Sequence, residues 1–120
     1  MAEMVYKVCP AAAWADAVRK RSYLGSPDDL RDGFIHLSTA TQLPGTLQRH
    51  FSDAEGRALA GLVLVSIPVS GFGASLAWEP ARDGSLFPHL YGPLDPELAA
   101  GVTALAVGSD GRHELPGDLR

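Results

Sequence analysis

From Ala58 to Trp78 the chain carries no charged side chain. A span of that length could cross a bilayer, which takes about 20 apolar residues. Its second half, however, is interrupted by Pro68, Gly71, Gly73 and serines, and only Ala58 to Ile67 reads as continuously hydrophobic. A short apolar run bounded by turn residues points to a buried strand followed by a turn. A strand that is apolar on both faces has to be covered on both. Leu59 to Ile67 is therefore expected at the centre of a sheet, and the rest of the chain must supply the layers that cover it.

At 120 residues and 12.7 kDa the chain is expected to form a single domain over residues 1–120. Ten Lys and Arg stand against 14 Asp and Glu, for a net charge of -4. That balance excludes a bulk nucleic-acid binder and a Lys-rich membrane-surface helix. With 46% hydrophobic and 20% charged residues, the composition is that of a folded chain and not of a disordered one. Cys9 is the single cysteine, which excludes an internal disulfide framework and a Cys-rich zinc site. The N-terminus has Glu3 before any base and lacks a charged leader, so the expected location is cytoplasmic.

Along the chain, Met4 to Cys9 reads as a first strand ended by Pro10. Ala11 to Arg21 reads as a helix, with Ala11, Trp14, Ala15 and Val18 on one face and Asp16 paired to Lys20 on another. Ser26-Pro27-Asp28-Asp29 is a helix start, and Gly33 stops that helix after about one turn. Phe34 to Leu37 is a short strand. Thr39 and Gln42 suit a capping box for a helix whose inner face is Leu43, Leu47, His50 and Phe51. Further strands are expected at Ser75 to Glu79, Phe87 to Tyr91, Val102 to Val107 and His113 to Leu115, with a helical turn at Pro96-Glu97. Strands outnumber helices and several are joined by tight turns, which is an α+β pattern.

No phosphate-binding loop, G-x-G-x-x-G, G-x-S-x-G or H-E-x-x-H string is present. The candidates are polar residues set in apolar, strand-like segments. Alternation puts Phe34 and His36 on one strand face, and a histidine there either satisfies both ring nitrogens or lines a cleft. Ser38 and Thr39 follow at a strand-to-helix junction, where hydroxyls and free N–H groups can hold a phosphate or cap the helix. His89 and Tyr91 share a face two residues apart, placing a proton donor or acceptor beside a flat stacking surface on what reads as an edge strand. Glu79, after Trp78 and before Pro80, ends a strand where a carboxylate can act as general base or stabilise a developing cation. His50 and His113 read as structural or solvated, and Cys9 as a small buried hydrophobe. Three ligands from His36, His89 and Glu79 could make a zinc site, yet no spacing requires it, and no metal is expected.

The ordered set Val5-Tyr6-Lys7, Trp14, Asp32-Gly33-Phe34-Ile35-His36-Leu37-Ser38-Thr39, Gln42, Trp78-Glu79, Phe87-Pro88-His89-Leu90-Tyr91-Gly92 and Asp110-Gly111 resembles the bacterial domain-of-unknown-function family 952, over about residues 5–116. That family is in turn distantly similar to the ADP-ribosyltransferase and RNA 2′-phosphotransferase superfamily. The resemblance implies a split, mainly antiparallel sheet with two or three flanking helices, and NAD in its cleft. It implies that a strand histidine holds a ribose, matched by His36, that an aromatic stacks on nicotinamide, and that a carboxylate supports a cation-like transition state. The superfamily order is His, Tyr, Glu, whereas here Glu79 precedes Tyr91.

Two functions follow as expectations. In the first, the domain binds NAD or a related ribose-phosphate ligand and performs, or has lost, ADP-ribosyl-transfer chemistry. His36, His89 and Glu79 are then catalytic, and Ser38, Thr39, Tyr91 and Trp78 bind the ligand. In the second, the chain is a non-catalytic module for a small anionic metabolite or a protein partner. The first requires His36, Glu79, His89 and Tyr91 to converge on one cleft.

Overall fold

The computed structural model describes residues 3–117 and Leu119. Six strands and three α-helices run in the order β1 (Met4–Pro10), α1 (Ala11–Lys20), α2 (Pro27–Asp32), β2 (Ile35–His36), α3 (Leu43–His50), β3 (Leu62–Pro68), β4 (Leu76–Pro80), β5 (Leu86–Leu90) and β6 (Gly101–Ala104), with short 3-10 turns between β3 and β4 and before β6. The strands form two three-stranded antiparallel sheets, ordered β1-β3-β6 and β2-β5-β4.

The uncharged run becomes β3, the central strand of the first sheet, paired with β1 from Leu62 to Pro68 and with β6 from Val63 to Ser66. Both of its faces are buried. Val63, Val65 and Ile67 face a core shared with Val5, Cys9, Trp14, Tyr23, Ile35, Leu37 and Leu90, whereas Leu62 and Leu64 face a second core with Tyr6, Val8, Leu43 and Leu47. The first core joins the two sheets and α1; the second packs α3 onto the outside. This double cover explains a sequence without charge at alternate positions.

The two sheets meet where the chain leaves β2. Ile35 and His36 pair with Leu90 and His89 of β5, while Ser38, two residues on, exchanges backbone hydrogen bonds of 2.8 and 2.9 Å with Tyr6 of β1. One short segment thus belongs to both sheets, and the sheets part on either side of it.

Several local expectations change. In α1 the buried residues are Trp14 and Ala17, while Ala11, Ala15 and Val18 face solvent. Trp14 sets the facing, because its ring packs against Tyr23 at 5.9 Å and alanines offer little competing burial. β5 lies between β2 and β4 and is not an edge strand. The strand expected at Val102 to Val107 is β6 and ends at Ala104, and His113 to Leu115 contributes only an isolated bridge from His113 to Val107. Thr39 and Gln42 make their reciprocal bonds, 3.0 and 3.3 Å, but these close the turn before α3, whose own first turn holds Pro44.

Gly33 ends α2 at φ 85° and has nothing within 4 Å of the place a Cβ would occupy. Gly33→Ala therefore isolates the backbone cost of the left-handed conformation, expected at about 1–2 kcal/mol. Urea unfolding measures it; an unchanged midpoint would contradict the assignment.

Candidate functional site

Lys7 is the only charged residue in β1, and alternation places it on the face of Val5 and Cys9, toward the first core. It is 5% exposed. A charge so placed requires a partner. Its Nζ donates to Asp29 Oδ2 at 2.8 Å and to the His36 carbonyl at 3.0 Å, and it lies 5.9 Å from the Tyr23 ring centroid. Asp29, 2% exposed, sits on the first turn of α2, where it also completes a capping box with Ser26. Its Oδ2 accepts from the Ser26 N–H at 2.9 Å, and its Oδ1 accepts from the His36 backbone N–H at 3.1 Å and from His36 Nδ1 at 2.6 Å. Burial alone would raise the Asp29 carboxyl. The hydrogen bond from His36, the charge and hydrogen bond of Lys7 and the Ser26 N–H together outweigh it and hold the group well below the usual carboxylate range.

His36 is thereby fixed in orientation. Nδ1 meets Asp29, and Nε2 lies 3.0 Å from Asp32 Oδ2 at the end of α2, so the ring stands between two carboxylates. Asp32 itself is held below the ordinary range, chiefly by its hydrogen bond from Arg31.

The second half of the site comes from β4 and β5. Register pairs Ala77 with His89 and Glu79 with Phe87, so Glu79 and His89 lie on one face of the sheet. His89 Nδ1 donates to Glu79 Oε1 at 2.7 Å, and the Tyr91 hydroxyl donates to the same oxygen at 2.7 Å. Those bonds, Tyr91 first, hold the Glu79 carboxyl below the ordinary range, and the carboxylate in return raises the Tyr91 hydroxyl. With Nδ1 donating, Nε2 of a neutral His89 ring carries the lone pair. It has no hydrogen-bond partner among the described residues.

Phe34 ties the halves together. Its ring stacks on His89 with centroids 4.0 Å apart and an interplanar angle of 27°, and also meets His36 at 4.6 Å and Tyr91 at 5.4 Å. The His36 and His89 rings lie edge-on at 5.6 Å. Beside them opens a cleft of about 290 Å³, bounded by Lys7 of β1, Asp28, Asp29 and Asp32 of α2, His36, His89 and Phe87, and Thr46, Arg49 and His50 of α3. A smaller hollow of about 160 Å³ lies elsewhere, beside His113, whose Nε2 is bonded to the Leu59 carbonyl at 2.7 Å.

Of the residues singled out in the sequence, His36, His89, Glu79 and Tyr91 are brought together. His36, His89 and Ser38 line the cleft, Ser38 with its hydroxyl 2.8 Å from that of Thr46. Glu79 and Tyr91 join them through the Glu79 bonds to His89 and Tyr91 and are not among the cleft-lining residues. Thr39 is used in the turn with Gln42 and is not among the cleft-lining residues. Trp78 stands apart as well. It is paired with Pro88 and lies on the opposite sheet face from Glu79 and His89, so a stacking role in this cleft does not fit it. Burial pushes the Cys9 thiol up to about 11. Among the described residues no group of three or more His, Cys, Asp or Glu could hold a metal, and no helix is long and apolar enough to cross a membrane.

Sequence reasoning missed Lys7, Asp29 and Phe34. The signal for Lys7 was a lone cation inside an otherwise apolar strand, which demands a buried acid elsewhere.

A small α+β domain with a histidine–carboxylate cleft at the junction of two antiparallel sheets is thus defined. The chain belongs to the DUF952 family, described as a protein of unknown function, whose pattern matches residues 8–102. It is similar to protein CC0527 from Caulobacter crescentus. The crystal structure of that protein is 37% identical, with a TM-score of 0.85, covering 93% of this chain and 94% of that one. Its solution NMR structure gives a TM-score of 0.77 at the same identity, over 90% and 89%. No curated protein matches the chain.

Asp29→Asn leaves the Lys7 ammonium buried without its counter-charge and is expected to cost about 3–5 kcal/mol at neutral pH. The folded pKa of Asp29 lies below that of an unfolded Asp, about 3.9. Its contribution is therefore complete above that value and is lost as pH falls toward the folded one, so stability should decline below about pH 4 and decline less steeply in the variant. Denaturant unfolding across pH checks both; a loss under about 1 kcal/mol would contradict the network.

Proposed function

We propose that the domain binds NAD, or a related ribose-phosphate ligand, in this cleft, and that its chemistry is of the ADP-ribosyl-transfer type. The observation that carries the reading is the convergence of His36, His89 and Tyr91 on the Phe34 ring, with Glu79 bonded to His89 and Tyr91 beside the cleft. The antiparallel pairing of β4 and β5 brings Glu79 and Tyr91 within 2.7 Å of each other although Glu79 comes first in the chain. A cleft of about 290 Å³ is at the small end for a ligand site, which suits the ribose and base of one nucleotide, with the rest of a dinucleotide along the open mouth.

In this reading a ribose hydroxyl takes the place of Asp32 at His36 Nε2, and the aromatic group of Phe34 and Tyr91 packs on the nicotinamide ring. The bond between ribose C1′ and the nicotinamide nitrogen breaks with its electron pair leaving on nicotinamide. Glu79 stabilises the positive charge that develops on the ribose. The attacking hydroxyl or amine loses its proton to His89 Nε2. Binding without transfer is the second reading. One observation favours it: both nitrogens of His36 already face carboxylates, which suits a structural histidine.

Calorimetric titration with NAD, ADP-ribose and nicotinamide tests the binding, and nicotinamide release tests the transfer. NAD and ADP-ribose should bind below about 1 mM, with His89→Ala about tenfold weaker. Glu79→Gln should retain binding while slowing nicotinamide release about 100-fold. Folded protein that binds neither nucleotide at millimolar concentration would overturn the reading; binding without release would leave the second.

A further inference from the structure

The cleft is polarised. The acids that α2 contributes to it are paired: Asp29 with Lys7 and His36, and Asp28 and Asp32 with Arg31 at 3.2 and 3.0 Å. The basic residues that α3 contributes are not, among the described residues. Thr46, Arg49 and His50 are spaced i, i+3 and i+4, so they share one helix face, and all three line the cleft. Lys7 and Arg31 are tied to acids, whereas Arg49 makes no hydrogen bond or ion pair among the described residues. The acid that senses its charge is Asp83, which is engaged in its own turn with Ser85. The Arg49 guanidinium lies back along the helix, with Nη2 3.8 Å from where a side chain on Gly45 would begin. Beside it stands the Ser38–Thr46 hydroxyl pair, of which Ser38 is buried.

We infer that Thr46, Arg49 and His50 of α3, with Ser38, form the subsite for the phosphate groups of the cleft ligand. A planar guanidinium presents paired N–H donors matched to phosphate oxygens. One of the two hydroxyls donates to the other, which leaves the second hydroxyl's proton for a phosphate oxygen. This assigns to α3 an anion-binding role that the sequence suggested for Ser38 and Thr39, and it brings in His50, which read as incidental. The identity of the whole ligand rests on the function proposed above; the anion subsite does not.

The test uses inorganic pyrophosphate and ADP-ribose as separate probes of the full chain, titrated by calorimetry. Arg49→Ala removes an exposed side chain that makes no hydrogen bond or ion pair among the described residues, and Arg112→Ala, beside the other hollow, serves as a control for loss of one positive charge. Arg49→Ala should weaken both probes about tenfold or more, and Arg112→Ala should leave them within about twofold. Thr46→Val should weaken them in the same direction. If ADP-ribose binds and Arg49→Ala binds it equally well, the subsite is overturned and the proposed function stands. If pyrophosphate binds through Arg49 and neither NAD nor ADP-ribose binds, the subsite stands and the NAD reading falls. If wild-type protein binds neither probe, both fall.

Discussion

The buried pair of Lys7 and Asp29 is the interaction on which the site depends. It fastens β1 of the first sheet to α2, and through Asp29 and the His36 carbonyl it fastens both to β2 of the second. A buried ion pair is poor evidence of added stability, since an apolar replacement of equal volume often does as well. Its value here is positional. One carboxylate caps a helix, accepts the strand N–H of His36 and holds the ring of the same residue. A shift of α2 would therefore move the histidine with it. Such fixing of a side chain by its neighbours is what a binding or catalytic site requires.

The cleft exists because two sheets share one short segment and then part. Ser38 is bonded to β1 and His36 to β5, so the floor of the cleft is the place where the sheets diverge. The same segment delivers Phe34, the ring on which His36, His89 and Tyr91 gather. The lining from α2 carries paired acids, and that from α3 an arginine without an ion pair among the described residues and a hydroxyl bonded to Ser38. A net charge of -4 is thus compatible with a local anion site, because the acids nearest the cleft are paired.

Much of this was legible in the sequence where short-range chemistry decides. The double cover of β3 followed from a run without charge, the ends of α2 from Ser26 and Gly33, and the shared face of His89 and Tyr91 from their two-residue spacing. What could not be read was long-range pairing. Asp29 looked like an acid at a helix start, which it is; that it also receives Lys7 depends on β1 lying against α2, separated by 22 residues of sequence. Trp78 could be placed on a strand but not facing away from Glu79's partners until β5 was known to pair with β4. The facing of α1 is not legible because a helix rich in alanine offers several similar faces, and burial of Trp14 in the first core beside Tyr23 sets it.

The four histidines provide the most direct measurement. His36 and His89 form the cleft floor, His50 lines its basic wall, and His113 lies beside the smaller hollow. Long-range proton–nitrogen spectra of the imidazole rings, recorded as ADP-ribose is added, should show the His36, His89 and His50 signals moving together along one binding curve while His113 stays fixed. Signals of His36 and His89 that do not move at saturating ligand, or a change at His113 alone, would contradict the account.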